Sequence, residues 1–181
     1  MNYEQQLEEG LSLLHEGDYD PALDISRRLQ KMEPETSDGF HLEGMVFQKL
    51  NQWEKSINAL DNAINLNEEK SGYYNLRGFA YLQLNELEDA KRDFDQAIDL
   101  DDSPAAHRNL VLYKIMSDQG NEGIQYLLGL IRENPKDVEN WILMGDLMAR
   151  AGQTAKARTY YEQANKMDPD NNYVKQQLKE V

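Results

Sequence analysis

The chain of 181 residues contains no cysteine, and this absence removes several kinds of chemistry. It can form no disulfide, and it has no thiolate to bind a metal or to act as a nucleophile. Long apolar runs are also missing, because none approaches the roughly 18–20 residues that span a bilayer. Proline and glycine are sparse, at 5 and 11 residues, which disfavours the frequent turns of a strand-rich fold. We therefore expect a cytoplasmic protein that is neither disulfide-bonded nor strand-rich.

Basic residues are outnumbered, since 33 acids against 19 Lys and Arg give a formal net charge of −14. Residues 105–181 carry equal numbers of acids and bases, so the whole excess lies in the first 104 residues. Such a surface repels phosphate backbones and anionic membranes, so we expect no nucleic-acid or direct membrane contact. It would attract a basic protein partner. The acids equally suit a second role, since they keep a many-helix protein soluble.

No group of residues in the sequence is typical of an active site or a cofactor site. His15, His41 and His107 lie far apart, and we expect imidazoles that face solvent or a partner rather than a metal. Two acidic stretches, beginning at Asp99 and Asp168, lack the glycine and glutamate that a calcium loop needs at its sixth and twelfth positions. Phosphate-binding glycine loops and the zinc motif H-E-x-x-H are also absent. The sequence therefore predicts a non-enzymatic protein without cofactor or metal.

The apolar residues are spaced as in amphipathic helices, and the whole pattern repeats. Apolar side chains recur at three- and four-residue steps in segments separated by short polar breaks. Gly10, Gly44 and Gly78 are each 34 residues apart, and Gly145 lies 67 residues after Gly78. The period defines five repeats, each a helix, a tight turn, a second helix and a loop. Their predicted ranges are 3–36, 37–70, 71–104, 105–137 and 138–171.

Small residues fall where the two helices of a repeat would cross, and large ones fall where consecutive repeats would meet. Gly78 and Gly145 hold such a small place, and Phe94 and Tyr161 hold a large one. Two helices of this length cannot bury their apolar faces alone, so the repeats must stack, each contacting its neighbours. The sequence therefore predicts a single all-α domain over 1–181, an α-solenoid of stacked antiparallel helix pairs.

The unit of about 34 residues resembles the tetratricopeptide repeat. The fifth repeat resembles it most closely, with signature places held by Trp141, Gly145, Gly152, Ala157, Tyr161, Ala164 and Pro169. The fourth repeat is one residue short, and we place the deletion in its turn, SDQGN, at residues 117–121. Residues 172–181 begin a further first helix in which Lys175 replaces the large aromatic, as suits a terminal capping helix.

The resemblance implies a right-handed superhelix whose concave groove is lined by the first helix of each repeat and binds a peptide or helix of a partner. The middle groove-facing place would fall on Leu11, Met45, Phe79, Tyr113 and Asp146. Phe79 and Tyr113 would be the strongest contacts, because aromatic anchors bury much area for little lost entropy. The predicted partner-binding residues are Leu7, Leu11, His41, Met45, Gln48, Asn75, Phe79, Leu82, Asn109, Tyr113, Met116 and Ile142.

Three functional hypotheses fit this pattern. The first is an adaptor whose groove holds bulky apolar anchors, with Asn75 and Asn109 bonding the ligand backbone. The second is a self-assembling structural module that stacks on another copy through Leu7, Leu11 and Leu14. The third is a regulatory subunit of a larger complex. A simpler alternative is that the groove side chains only pack against their own neighbours.

Overall fold

A computed structural model describes residues 2–181, and within that range it contains eleven α-helices and no strand. The helices are α1 (Tyr3–Glu16), α2 (Tyr19–Met32), α3 (Asp38–Lys49), α4 (Trp53–Leu66), α5 (Ser71–Gln83), α6 (Leu87–Leu100), α7 (Pro104–Met116), α8 (Gly120–Glu133), α9 (Val138–Arg150), α10 (Thr154–Met167) and α11 (Asn172–Glu180). Short turns join the two helices of each pair, and short loops join one pair to the next. The predicted all-α fold of stacked helix pairs is confirmed.

The chain divides into two compact units, and each has its own packing. The N-terminal unit ends at Tyr113, and the C-terminal unit spans Lys114–Val181. In the N-terminal unit the successive helices from α1 to α6 pack against one another in chain order. In the C-terminal unit α9 packs against α8 and α10, and α10 packs against α11. The single domain over 1–181 stays a prediction.

Glycines at two helix crossings bring the backbones close to large rings. A β-carbon at Gly78 of α5 would lie 2.8 Å from Cε1 of Phe94 on α6, too close for a carbon contact. In the C-terminal unit a β-carbon at Gly145 would lie 2.5 Å from Cε1 of Tyr161. Both rings are completely buried. The predicted small residues at the crossings are confirmed. The predicted packing of the large residues against the next repeat is also seen, since Phe94 shares a cluster with Tyr113 and Tyr161 shares one with Val174.

The turn inside each helix pair contains one residue in the left-handed conformation. These five residues have φ between 55° and 89°: Gly17, Asn51, Asn85, Asp118 and Gly152. Glycine adopts this conformation without steric cost, and Asn and Asp tolerate it better than other side chains. The five are evenly spaced along the chain except that Asp118 comes one residue early, so the missing residue precedes Asp118.

The deletion in the fourth repeat lies in the loop before α7. That loop has three residues, 101–103, whereas the loops before α5, α9 and α11 each have four. The turn between α7 and α8 has three residues, as do the turns before α4, α6 and α10. Pro104, whose ring presets a helical φ, begins α7 directly after the short loop. The prediction of a deletion at 117–121 is therefore wrong, and the facing of α7 changes by one residue.

Candidate functional site

The first helices of the N-terminal unit, α1, α3 and α5, form a cleft together with the turn that leads into α4. Its volume is about 590 Å³. The lining residues are Leu14, Met45, Gln48, Lys49, Asn51, Trp53, Leu76, Phe79 and Gln83. Side chains three and four residues apart on one helix share a face, which is why α3 and α5 each contribute several of them. The structure thus brings three predicted residues, Met45, Gln48 and Phe79, into one cleft.

Two aromatic rings form one side of this cleft. The ring centroids of Trp53 and Phe79 are 6.0 Å apart and their planes meet at 74°, an edge-to-face arrangement. Both side chains are partly exposed. Gln48 donates a hydrogen bond from Nε2 to the carbonyl of Leu76, so its amide is held in the cleft. The cleft therefore combines an apolar surface with an oriented amide.

A smaller cleft of about 330 Å³ adjoins the first. Its lining residues are Leu11, Leu14, His15, Tyr19 and Lys49. Leu14 and Lys49 line both clefts, so the two form one surface along the ends of α1 and α3. Leu11, a predicted partner-binding residue, is 41% exposed and is therefore accessible in the smaller cleft.

Asn75 and Asn109, which we expected to bond a ligand backbone, bond each other. Nδ2 of Asn109 donates to Oδ1 of Asn75 at 2.9 Å, between α5 and α7. Both side chains are partly exposed. Because each amide has two donors and one acceptor oxygen, this single bond leaves part of their capacity unused.

Three of the predicted groove residues are core residues. The exposed fractions of Leu82, Tyr113 and Ile142 are 0%, 6% and 8%. The shortened loop before α7 explains Tyr113, because the preceding residue, Leu112, now takes the groove-facing place that follows Phe79 in the repeat. Leu82 lies in a hydrophobic cluster with Phe94 and Tyr113, and Ile142 lies in one with Tyr161 and Val174. Their predicted exposure is therefore wrong.

Three further predicted residues, Leu7, Met116 and His41, line neither of these two clefts. Leu7 is partly buried against the core around α2 and α3, and Met116 is 44% exposed at the end of α7. His41 is partly buried, with its ring centroid 4.7 Å from that of Tyr73. Burial lowers the pKa of His41 to about 4, so the imidazole is neutral at pH 7.

Sequence reasoning missed five lining residues of the larger cleft: Lys49, Asn51, Trp53, Leu76 and Gln83. Lys49 and Gln83 lie four residues after Met45 and Phe79, one helical turn further along the same face. Extending the groove pattern by one turn would have found both. Trp53 is the first residue of α4, and only the conformation of the preceding turn brings it against α5.

A separate cavity of about 460 Å³ borders Arg77 on α5. Arg77 donates from Nε and Nη2 to Asp93 and from Nη1 to Asp61, which links α5 to α6 and α4. Its guanidinium carbon lies 5.6 Å from the ring centroid of Tyr74 and 5.9 Å from that of Tyr81. Burial raises the pKa of Asp93, and the guanidinium opposes that rise. These charges are satisfied within the protein, so they serve its structure.

Neither a metal site nor a membrane helix is present in the part of the chain that the structure describes. Within residues 2–181 no three His, Asp or Glu side chains are grouped closely enough to hold a metal ion. None of the helices in this range combines the length and apolarity that a membrane crossing requires. The absence of cofactor and metal stays a prediction.

Comparison with known families agrees with the repeat pattern. The sequence model of the tetratricopeptide repeat matches residues 71–104 and 138–171, which are the third and fifth predicted repeats. The chain therefore contains tetratricopeptide repeats at these two positions. The "DnaJ homolog subfamily C member 7 homolog" of Schizosaccharomyces pombe is 42% identical to this chain over 52 residues. That match spans 29% of this chain and only 11% of the relative.

Solved structures resemble this chain over nearly its whole length. A thermophilic TPR protein of Thermus thermophilus gives a TM-score of 0.87 at 17% identity, covering 99% of this chain and 98% of that one. YrrB, described as a TPR protein with an unusual peptide-binding site, gives 0.62 at 13% identity, covering 97% and 91%. PilF of Pseudomonas aeruginosa gives 0.74 at 18% identity, covering 95% and 79%. At these identities the likeness concerns the fold.

Proposed function

We propose that this protein is a non-enzymatic adaptor, and that α1, α3 and α5 bind a peptide or helix of another protein. The main support is the 590 Å³ cleft, which offers the partly exposed side chains of Phe79, Trp53 and Met45 to a bulky apolar anchor. Apolar clefts with a few oriented polar groups are the usual form of such sites. Protein interaction is also the general role of tetratricopeptide repeats, and YrrB is described as having a peptide-binding site.

Phe79 and Trp53 are the contacts on which the affinity should depend most. Aromatic side chains bury a large area, and a few such residues supply most of the energy of an interface. Asn75 and Asn109 would add orientation through the hydrogen-bonding capacity that their mutual bond leaves unused. The net charge of −14 should attract a basic partner and raise the rate at which it associates. This preference and the cytoplasmic location stay predictions.

Selection from a phage library of random peptides, followed by calorimetry with the selected peptide, tests the adaptor function. Phe79→Ala and Met45→Ser should each weaken binding about tenfold or more. Met167→Ala is a matched control, because Met167 is 39% exposed on α10, in the C-terminal unit. Equal urea midpoints for all variants would show that folding is intact. If no peptide is selected, or if the selected peptides bind both cleft variants unchanged, the adaptor function is wrong.

Self-assembly is the second candidate, and the exposure of Leu11 favours it. Leu11 is 41% exposed on α1 beside the partly buried Leu7. Light scattering over a range of protein concentrations should then show dimers that are lost in Leu11→Asp. A monomer at all concentrations would contradict self-assembly. The role of regulatory subunit stays a prediction.

A further inference from the structure

Lys49 occupies a special place on the binding surface proposed above. It lies in the last turn of α3, lines both the 590 Å³ cleft and the 330 Å³ cleft, and is exposed. Among the described residues it forms no ion pair. Apart from His15 in the smaller cleft, every other lining residue is uncharged. No carboxylate lines either cleft, although the chain holds 33 acids.

An unpaired ammonium beside the apolar side chains of Leu11, Leu14 and Phe79 favours one kind of neighbour. A carboxylate brought there by a ligand would form a charge-assisted hydrogen bond with Nζ of Lys49. The adjacent apolar contacts would exclude water from the pair, and an ion pair shielded from water is stronger than an exposed one. A basic residue at the same point would meet repulsion. The charge of Lys49 therefore favours an acidic ligand residue at this point, whereas the net charge of the chain favours a basic partner.

We infer that the adaptor surface binds a peptide segment in which an acidic residue lies between two apolar residues. The bulkier apolar residue fills the larger cleft against Phe79 and Trp53, and the second lies in the smaller cleft against Leu11. The Asp or Glu between them pairs with Lys49. This inference rests on the proposed function, and it adds the class of partner sequence that the surface selects.

A charge-reversal experiment tests the inference. Phage libraries of random peptides are selected against the wild type, Lys49→Glu and Lys156→Glu. Lys156 is exposed on α10, so its reversal changes net charge equally without touching the clefts. The wild type and Lys156→Glu should enrich Asp or Glu beside apolar residues, and Lys49→Glu should enrich Lys or Arg there. A synthetic selected peptide whose acid is replaced by Lys should bind the wild type about tenfold more weakly and regain affinity for Lys49→Glu.

The outcomes separate the two proposals. If Phe79→Ala abolishes binding but wild type and Lys49→Glu select the same sequences, the adaptor function stands and the acidic preference is wrong. If no Phe79-dependent peptide is found, both proposals are wrong. If light scattering shows dimers that Lys49→Glu dissociates, and no peptide competes with them, the occupant is a second copy of the chain and the inferred peptide class is wrong.

Discussion

The guanidinium of Arg77 holds the carboxylate of Asp93 through two parallel hydrogen bonds. Nε donates to Oδ2 at 2.8 Å, and Nη2 donates to Oδ1 at 2.7 Å. The side chain of Asp93 is only 5% exposed, and that of Arg77 is 19% exposed. A third bond, from Nη1 to Asp61, completes a link among three successive helices of the N-terminal unit.

Removing the arginine would leave this buried carboxylate without its partner. We expect Arg77→Met to lower the free energy of unfolding by about 3 kcal/mol, because an uncompensated buried charge is costly. Arg92→Met is the control, since Arg92 is 74% exposed and pairs with Asp89 at the surface. It should cost less than about 1 kcal/mol. Urea unfolding measures both, and equal effects would show that the Arg77 link carries no special stability.

Alanine at the crossing glycines should destabilise the fold through steric overlap. In Gly78→Ala and Gly145→Ala the new methyl group would press on the buried rings of Phe94 and Tyr161. We expect losses of about 1–3 kcal/mol in unfolding free energy, the usual cost of overpacking. Gly129→Ala is the control, because nothing lies within 4 Å of its added β-carbon in α8.

Gly129→Ala should instead stabilise the protein by up to about 1 kcal/mol through helix propensity. Thermal unfolding followed by circular dichroism distinguishes the variants. If all three substitutions shifted the midpoint in the same direction, steric overlap at the crossings would not be the cause.

The buried imidazole of His41 should make the protein less stable in mild acid. Its pKa falls from 6.5 in the unfolded chain to about 4 in the folded protein, because burial disfavours the charged form. The unfolded state therefore binds more protons in this range, and stability is lost as the pH falls from about 6.5 to about 4. The loss is at most about 3 kcal/mol.

His41→Phe retains a ring beside Tyr73 but cannot take up a proton. Urea unfolding at several pH values between 4 and 7 should show a smaller pH dependence for this variant than for the wild type. Parallel curves for the two proteins would exclude His41 as the source.

Two tyrosines bond the carboxylate of Asp146, and we expect their ionisation at alkaline pH to lower the stability of the capping helix, α11. The hydroxyls of Tyr161 and Tyr173 both donate to Oδ1 of Asp146 at 2.7 Å. Burial and this carboxylate raise the pKa of Tyr173 from 10.0 to about 12, and they raise that of Tyr161 as well. The folded state holds these protons more tightly, so stability is intact below about pH 10 and is lost as pH rises towards 12.

Ultraviolet titration of tyrosinate tests this link. The difference between the wild type and Tyr173→Phe isolates the ionisation of Tyr173. The same pair of proteins is then compared with Asp146→Asn added to both. The ionisation of Tyr173 should now appear at lower pH, because the negatively charged carboxylate beside its hydroxyl is gone. An unchanged titration in Asp146→Asn would show that the carboxylate does not hold the phenol proton.

The helix pairs were predictable because their packing is repeated and local. Gly78 and Phe94 lie on the two helices of one pair, and the same arrangement returns as Gly145 and Tyr161 in the C-terminal unit. Each contact joins residues about half a repeat apart, so a spacing rule can describe it. The same rule selected Met45, Gln48 and Phe79, which the structure brings into one cleft.

The site was less predictable because a single residue in a loop changes which side of a helix faces the groove. One residue rotates an α-helical face by about 100°. The short loop before Pro104 therefore moved Tyr113 into the core and placed Leu112 in its groove position. Residue spacing within the fourth repeat alone allows the deletion on either side of α7. The turn residues Asn85 and Asp118 choose the loop before α7, but only once their shared left-handed conformation shows that they are equivalent.

The sequence by itself determined the repeat, the small residues at its helix crossings, the large residues between consecutive repeats, and the acidic balance of the first 104 residues. Only the tertiary structure decided which groove residues are open. The exposed fraction of a groove side chain depends on neighbouring side chains from three helices, and residue spacing along the chain does not specify these neighbours. For the same reason it alone showed that Asn75 bonds Asn109 and that Lys49 stands unpaired between two clefts.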